Sequence, residues 1–197
     1  MDEIYEIIIA MLALVLACII AWRTSFQAIG LPLIPAFLVL FFTIGIGFIG
    51  HEMGHKWAAE RFGTASRFIM WPQGLLLMLV FALLFGFIFA APGAVYIFAR
   101  TLSKRENGMI SLAGPAVNLL FCIIFAFVLL LPVIGVGITG LVLLIARFGM
   151  QINAFLAFFN LIPFFILDGA KVIRWNFWIW LIAILIAFGM MMFSGFF

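Results

Sequence analysis

Apolar residues run along this chain in blocks too long and too continuous to be one face of a soluble fold. The first covers about Ile4 to Trp22, and a second opens at Leu31 or Pro35 and continues to Glu60. Blocks of about 20 apolar residues read as helices that cross a bilayer. Further blocks cover Ile110 to about Ile134, a stretch ending near Leu167, and Trp175 to Phe193. Between them lie Gly30, Pro32 and Pro35, a weak break at Gly135 to Gly140, and a polar stretch from Arg100 to Gly108 that reads as a solvated loop. The pattern predicts an all-α polytopic membrane protein of five to six transmembrane segments, forming a single domain over residues 1–197.

Phe68 to Ala91 is apolar enough to span, but basic residues flank it on both sides: Lys56, Arg61 and Arg67 before, Arg100, Lys104 and Arg105 after. A single crossing would put these clusters on opposite faces, against the positive-inside rule. A re-entrant excursion bent at Pro72-Gln73-Gly74 and Pro92-Gly93 keeps them together, with Ala94 to Phe98 as a short β segment. With the first span starting in the cytoplasm, only Arg23 and Arg147 then lie on the other side. The charge pattern thus predicts a multi-pass protein of the cell membrane, with the C-terminal end of the second span nearer the cytoplasm.

Composition sharpens this picture. The 197 residues are 69% hydrophobic and 9% charged, so the lipid bilayer is the expected solvent. The net charge of +3 comes from a few basic residues between spans, which read as topology signals and not as a nucleic-acid surface. Cys18 and Cys122 lie in apolar blocks without a C-x-x-C partner, which argues against a disulfide framework or a thiolate metal site. Met1-Asp2-Glu3 is acidic where a secretory leader needs positive charge, so the first block is expected to remain as an anchor.

Within the second block stands His51-Glu52-Met53-Gly54-His55, the H-E-x-x-H pattern. A helix sets these histidines four apart on one face, so both imidazoles can reach one zinc ion, and Glu52 can take a proton from water at that ion. The chain has only two histidines, and both are here. Ionisable groups inside a membrane segment cost about 2.5 to 3.5 kcal/mol each on insertion scales, which argues against chance. Catalytic zinc usually takes three protein ligands. Asp2, Glu3 and Glu6 are N-terminal, Glu60 ends a mixed-charge helix and Glu106 is in the polar loop, which leaves Asp168 as the third ligand. The competing reading of Asp168 is a cap of the next segment or a partner of Lys171.

Three stretches in order carry a family resemblance. Gly50 to His55, then Ala113-Gly114-Pro115 with Asn118, then Asn160-Leu161-Ile162-Pro163 followed at a fixed distance by Asp168-Gly169, resemble the membrane motifs of the site-2 proteases, which are zinc-dependent intramembrane metalloproteases. The resemblance implies that His51, His55 and Asp168 hold zinc and that Glu52 is the general base. It further implies that Asn160 orients the substrate or steadies the oxyanion, with Asn118 a helper. The expected substrate is a transmembrane protein, cut in or near its membrane helix, with selection by the core or by a regulatory membrane partner. The oligomeric state, the substrate and the pathway are not legible here. Pro163 removes a helical hydrogen bond just before Asp168, so the carboxylate can turn toward the metal.

Two readings from other classes compete. A membrane metal-binding or metal-transport protein explains the histidines and the aspartate but gives Glu52 no task, and transport usually needs polar sites strung across the bilayer. A catalytically silent relative would not need Glu52 at all.

Overall fold

A computed structural model describes residues 2–28, 30–88, 92–98, 101–164 and 166–195. Helix α1 covers Glu3–Ala28, α2 Leu33–Leu40 and α3 Ile46–Arg61; a π-helical turn at Phe41–Gly45 joins the last two into one rod. Thr43 sits in that turn and its Oγ1 donates to the Val39 carbonyl at 2.7 Å. Such turns are often found near functional sites, and this one ends six positions before His51 on the same rod. Strand β1 (Ala65–Met70), helix α4 (Pro72–Phe85) and strand β2 (Gly93–Phe98) follow, then α5 (Lys104–Leu130), α6 (Gly140–Leu161), α7 (Asp168–Trp175) and α8 (Phe177–Phe193).

Among the described residues, four helical stretches are long and apolar enough to cross a membrane: Glu3–Ala28, Leu33–Arg61, Lys104–Ile134 and Gly140–Leu161. α4 and α8 are shorter apolar helices of 14 and 17 residues. Counting one or both of these with the four gives the expected five to six segments. The architecture is polytopic and mostly helical, with one small sheet.

That sheet decides the course of the apolar stretch after α3. β1 and β2 pair antiparallel from Ala65↔Phe98 to Met70↔Gly93, so the chain leaves and returns at one level. α4 starts with Pro72 in its first turn and ends at Gly86 in the left-handed conformation, φ 70°. At that end a Cβ on Gly86 would lie 3.7 Å from the Ala21 carbonyl, so α4 runs along α1. At its base, Trp71 N–H donates to the Pro92 carbonyl at 3.0 Å. The excursion thus leaves the sheet and comes back to it, the course that the re-entrant reading requires. Its expected end at Ala91, and Arg100 of the second basic cluster, lie outside the described residues.

Besides α1, which runs past the expected end at Trp22 to Ala28, two boundaries differ from expectation for a clear reason. The stretch read as a polar loop up to Gly108 is already helix from Lys104, because Ser103 and Glu106 form a reciprocal capping box. The span expected to run to Leu167 stops at Leu161, because Pro163 cannot continue it. Trp180 Nε1 donates to the freed Leu161 carbonyl at 2.8 Å and steadies that break.

One apolar core joins α1, α2, α4 and β1 through Val15, Cys18, Leu40, Phe68 and Met78, all fully buried. A second joins α5, α6 and α8 through Cys122, Met150, Ala154 and Met191. α3 packs closely on α5, where a Cβ on Gly54 would lie 2.8 Å from the Ala113 carbonyl. Large apolar side chains such as Leu120, Ile123, Phe127 and Leu185 point outward, the arrangement that suits a lipid-facing surface.

Candidate metal centre

The site forms where α3, α5 and α7 meet. Helical spacing puts His51 and His55 one turn apart, and their Nε2 atoms are 3.0 Å from each other. Asp168 Oδ2 lies 3.3 Å from His51 Nε2 and 3.1 Å from His55 Nε2. Three donor atoms at such separations fit around one tetrahedral ion with metal–ligand bonds of about 2.0 to 2.2 Å. Two imidazoles and a carboxylate are a donor set that suits zinc.

The far nitrogens fix the tautomers. His55 Nδ1 faces the Ile110 carbonyl at 2.8 Å, and a carbonyl can only accept, so Nδ1 carries the proton and Nε2 keeps its lone pair. His51 Nδ1 faces Asn118 Oδ1 at 2.7 Å. Asn118 Nδ2 donates to the Gly47 carbonyl and to Asn153 Oδ1, both at 3.0 Å, so its oxygen must be the atom turned to His51. Asn153 Nδ2 in turn donates to the Gly149 carbonyl at 2.9 Å. Both asparagines are fully buried. This relay from α6 through α5 to α3 orients His51, as outer partners commonly orient metal-ligating histidines.

The backbone leaves room for an ion. A Cβ on Gly114 would stand 2.5 Å from His55 Nε2 and 2.8 Å from His51 Nε2, inside the cradle. Gly169 has a related role at α7, where a Cβ would collide with the Leu161 carbonyl; its absence lets Asp168 come under the end of α6. The second oxygen of Asp168, Oδ1, is 3.4 Å from Lys171 Nζ, so metal ligation and pairing with Lys171 use different oxygens.

Glu52 is buried beside the donors, and its Oε2 accepts from Val95 N–H of β2 at 2.9 Å. Asn160 lies at the end of α6, where its Nδ2 donates to the Leu156 carbonyl at 2.9 Å. Among the described residues, no polar contact joins it to the donor cluster, while Asn118 touches that cluster directly. Two participants escape a sequence reading. Asn153 shows only as a polar residue within an apolar block, and the Val95 amide has no sequence signal at all.

Residues 38–139 match peptidase family M50. A protein of Methanocaldococcus jannaschii described as "Putative zinc metalloprotease" is 41% identical over 163 residues, which cover 83% of either chain. No solved structure matches the chain. The order of the motifs, the convergence of His51, His55 and Asp168, and this relative agree: the chain belongs to peptidase family M50, the site-2 protease family.

Proposed function

We propose that this membrane metalloprotease is an intramembrane zinc endopeptidase that hydrolyses a peptide bond in or near a transmembrane helix of another protein. The observation that carries the proposal is the position of Glu52 between the His51–His55–Asp168 cluster and the outer edge of β2. Zinc held by these three residues supplies an acidified water and a Lewis acid for the scissile carbonyl. A substrate segment must be extended to be cut, and an extended segment can add to a strand edge by main-chain hydrogen bonds. The β2 edge then lays that segment along Glu52.

Glu52 accepts the proton of the attacking water on its carboxylate and returns it to the amide nitrogen as the carbon–nitrogen bond breaks. The Val95 amide holds one carboxylate oxygen and leaves the other for this exchange. His51 and His55 remain neutral ligands, their Nδ1 protons committed to Asn118 and Ile110. Asn118 acts through His51 as a positioning residue. Asn160 supplies an uncharged donor to the carbonyl oxygen after releasing its own helix. Charge placement between the spans supports a cytoplasmic active-site end in a cell membrane, and selection by a regulatory membrane partner belongs to the same reading.

The test compares the native chain with Glu52→Gln in detergent, using a single-span substrate whose helix is weakened at the cut site. Zinc should be found in both proteins, with cleavage lowered by about a hundredfold or more in the variant. Equal cleavage by both would overturn the role of Glu52. Zinc in neither would overturn the site.

A further inference from the structure

A two-stranded hairpin has two outer rows of backbone N–H groups. On β1 two members of that row are already taken. Phe68 N–H donates to Glu3 Oε1 at 2.8 Å and Met70 N–H to Glu6 Oε2 at 2.9 Å. Two carboxylates three apart on the first turn of α1 thus meet alternate residues of a strand, standing in for a third strand. Their remaining oxygens are held as well: Glu3 Oε2 by Lys56 at 2.5 Å and Glu6 Oε1 by Arg67 at 3.0 Å. Lys56 follows His55 directly, so Glu3 ties the hairpin edge to the helix that carries both histidines.

The register makes this arrangement pointed. Phe68 and Val95 are opposite each other, and both N–H groups face outward. Glu3 and Glu52 therefore bracket the hairpin at one level, Glu3 from the β1 side and Glu52 from the β2 side. Acidic residues at a helix N-terminus usually answer only to the helix dipole. That explanation leaves the two strand contacts, 65 and 64 residues away in sequence, without a reason.

We propose that Glu3 and Glu6 are positioning residues that close the β1 edge and hold the β2 edge toward Glu52, so that a substrate strand joins the hairpin on its productive side. This rests on the reading that an extended substrate adds to β2. Open strand edges accept partners readily, and in a low-dielectric setting unpaired N–H groups strengthen that tendency. Without the two carboxylates, substrate also docks on β1, with the hairpin between it and the metal.

Disulfide trapping and kinetics on the full zinc-loaded chain test this together. The substrate is the single-span helix-weakened protein above, with one cysteine beside its cut site, and the probes are Tyr96→Cys on β2 and Ala65→Cys on β1, both exposed. Both native cysteines are fully buried and stay silent. Trapping is done in Glu52→Gln, which leaves substrate uncut. With Glu3 and Glu6 intact, substrate should trap at position 96 and not at 65. In Glu3→Ala/Glu6→Ala, trapping at 65 should appear, and in the active chain KM should rise about tenfold with kcat within about twofold and zinc content unchanged, as expected for lost hydrogen bonds that act on binding. Glu3→Gln/Glu6→Gln keeps an acceptor oxygen and should stay closer to native. Glu6→Ala alone leaves the Glu3–Lys56 tie in place and should show the same signature at about threefold in KM, which covers a double variant that fails to fold. Unchanged KM and trapping in the alanine variants, or a fall in kcat and zinc without new trapping, overturns the positioning role. Failure to trap at 96 with both glutamates present overturns strand addition to β2 itself.

Discussion

At the residue scale, the His51 imidazole has a fixed tautomer because Asn118 has no freedom to flip, and Asn118 has none because Gly47 and Asn153 take both of its amide protons. Asn118→Ala should therefore weaken zinc binding by about 10- to 100-fold, measured by chelator competition. Asn153→Ala removes one bond from the relay and should cost about fivefold in the same assay. Equal effects of the two would mean that Asn153 does more than support Asn118. Gly114→Ala is a sharper probe, since alanine favours a helix interior while its methyl would enter the donor cradle. Loss of bound zinc with unchanged helix content is the expected result. His51, Glu52 and His55 are legible from sequence because a local helical repeat suffices to bring them together. Asn153 is not, because its role depends on which neighbour lies across the helix interface.

At the scale of elements, the break after α6 brings Asp168 to the His51–His55 pair. Pro163 stops the helix at Leu161, Trp180 caps the freed carbonyl, and Gly169 lets α7 tuck beneath. Pro163→Ala should let α6 lengthen and shift Asp168, with cleavage lowered by about a hundredfold for a displacement near 1 Å. The start of α5 offers a contrasting case. Ser103→Ala removes the capping box and should cost about 1 kcal/mol of local stability, seen as faster amide exchange over residues 104–107, with zinc binding unchanged. Ser103-Lys104-Arg105-Glu106 carries that helix start openly in sequence, yet its charge density reads as a solvated loop. β1 is harder to see, because it spans the boundary between a polar stretch and an apolar run and gains definition only by pairing with β2.

For the whole molecule, the candidate donors bridge α3 and α7, but α3 is also held by apolar packing, through Phe48 in the first core and through Ala58 and Ala59 against Ile110 of α5. Removing zinc with a chelator should abolish cleavage and leave helix content nearly unchanged by circular dichroism, and adding zinc should restore activity. Collapse of the fold on chelation would show that the metal is structural. The sequence by itself determined the membrane class, the helical spans and the histidine pair with Glu52 beside it, because length, hydropathy and a one-turn repeat are local properties of the chain. The ordered motifs also pointed to Asp168. Tertiary structure alone decided that Asn153 stands behind Asn118, that the Val95 amide meets Glu52, and that Glu3 and Glu6 occupy the far edge of the hairpin. Each of those contacts joins residues more than 30 positions apart through a backbone amide or a side-chain amide, groups whose partners are chosen by packing geometry and leave no pattern in the sequence.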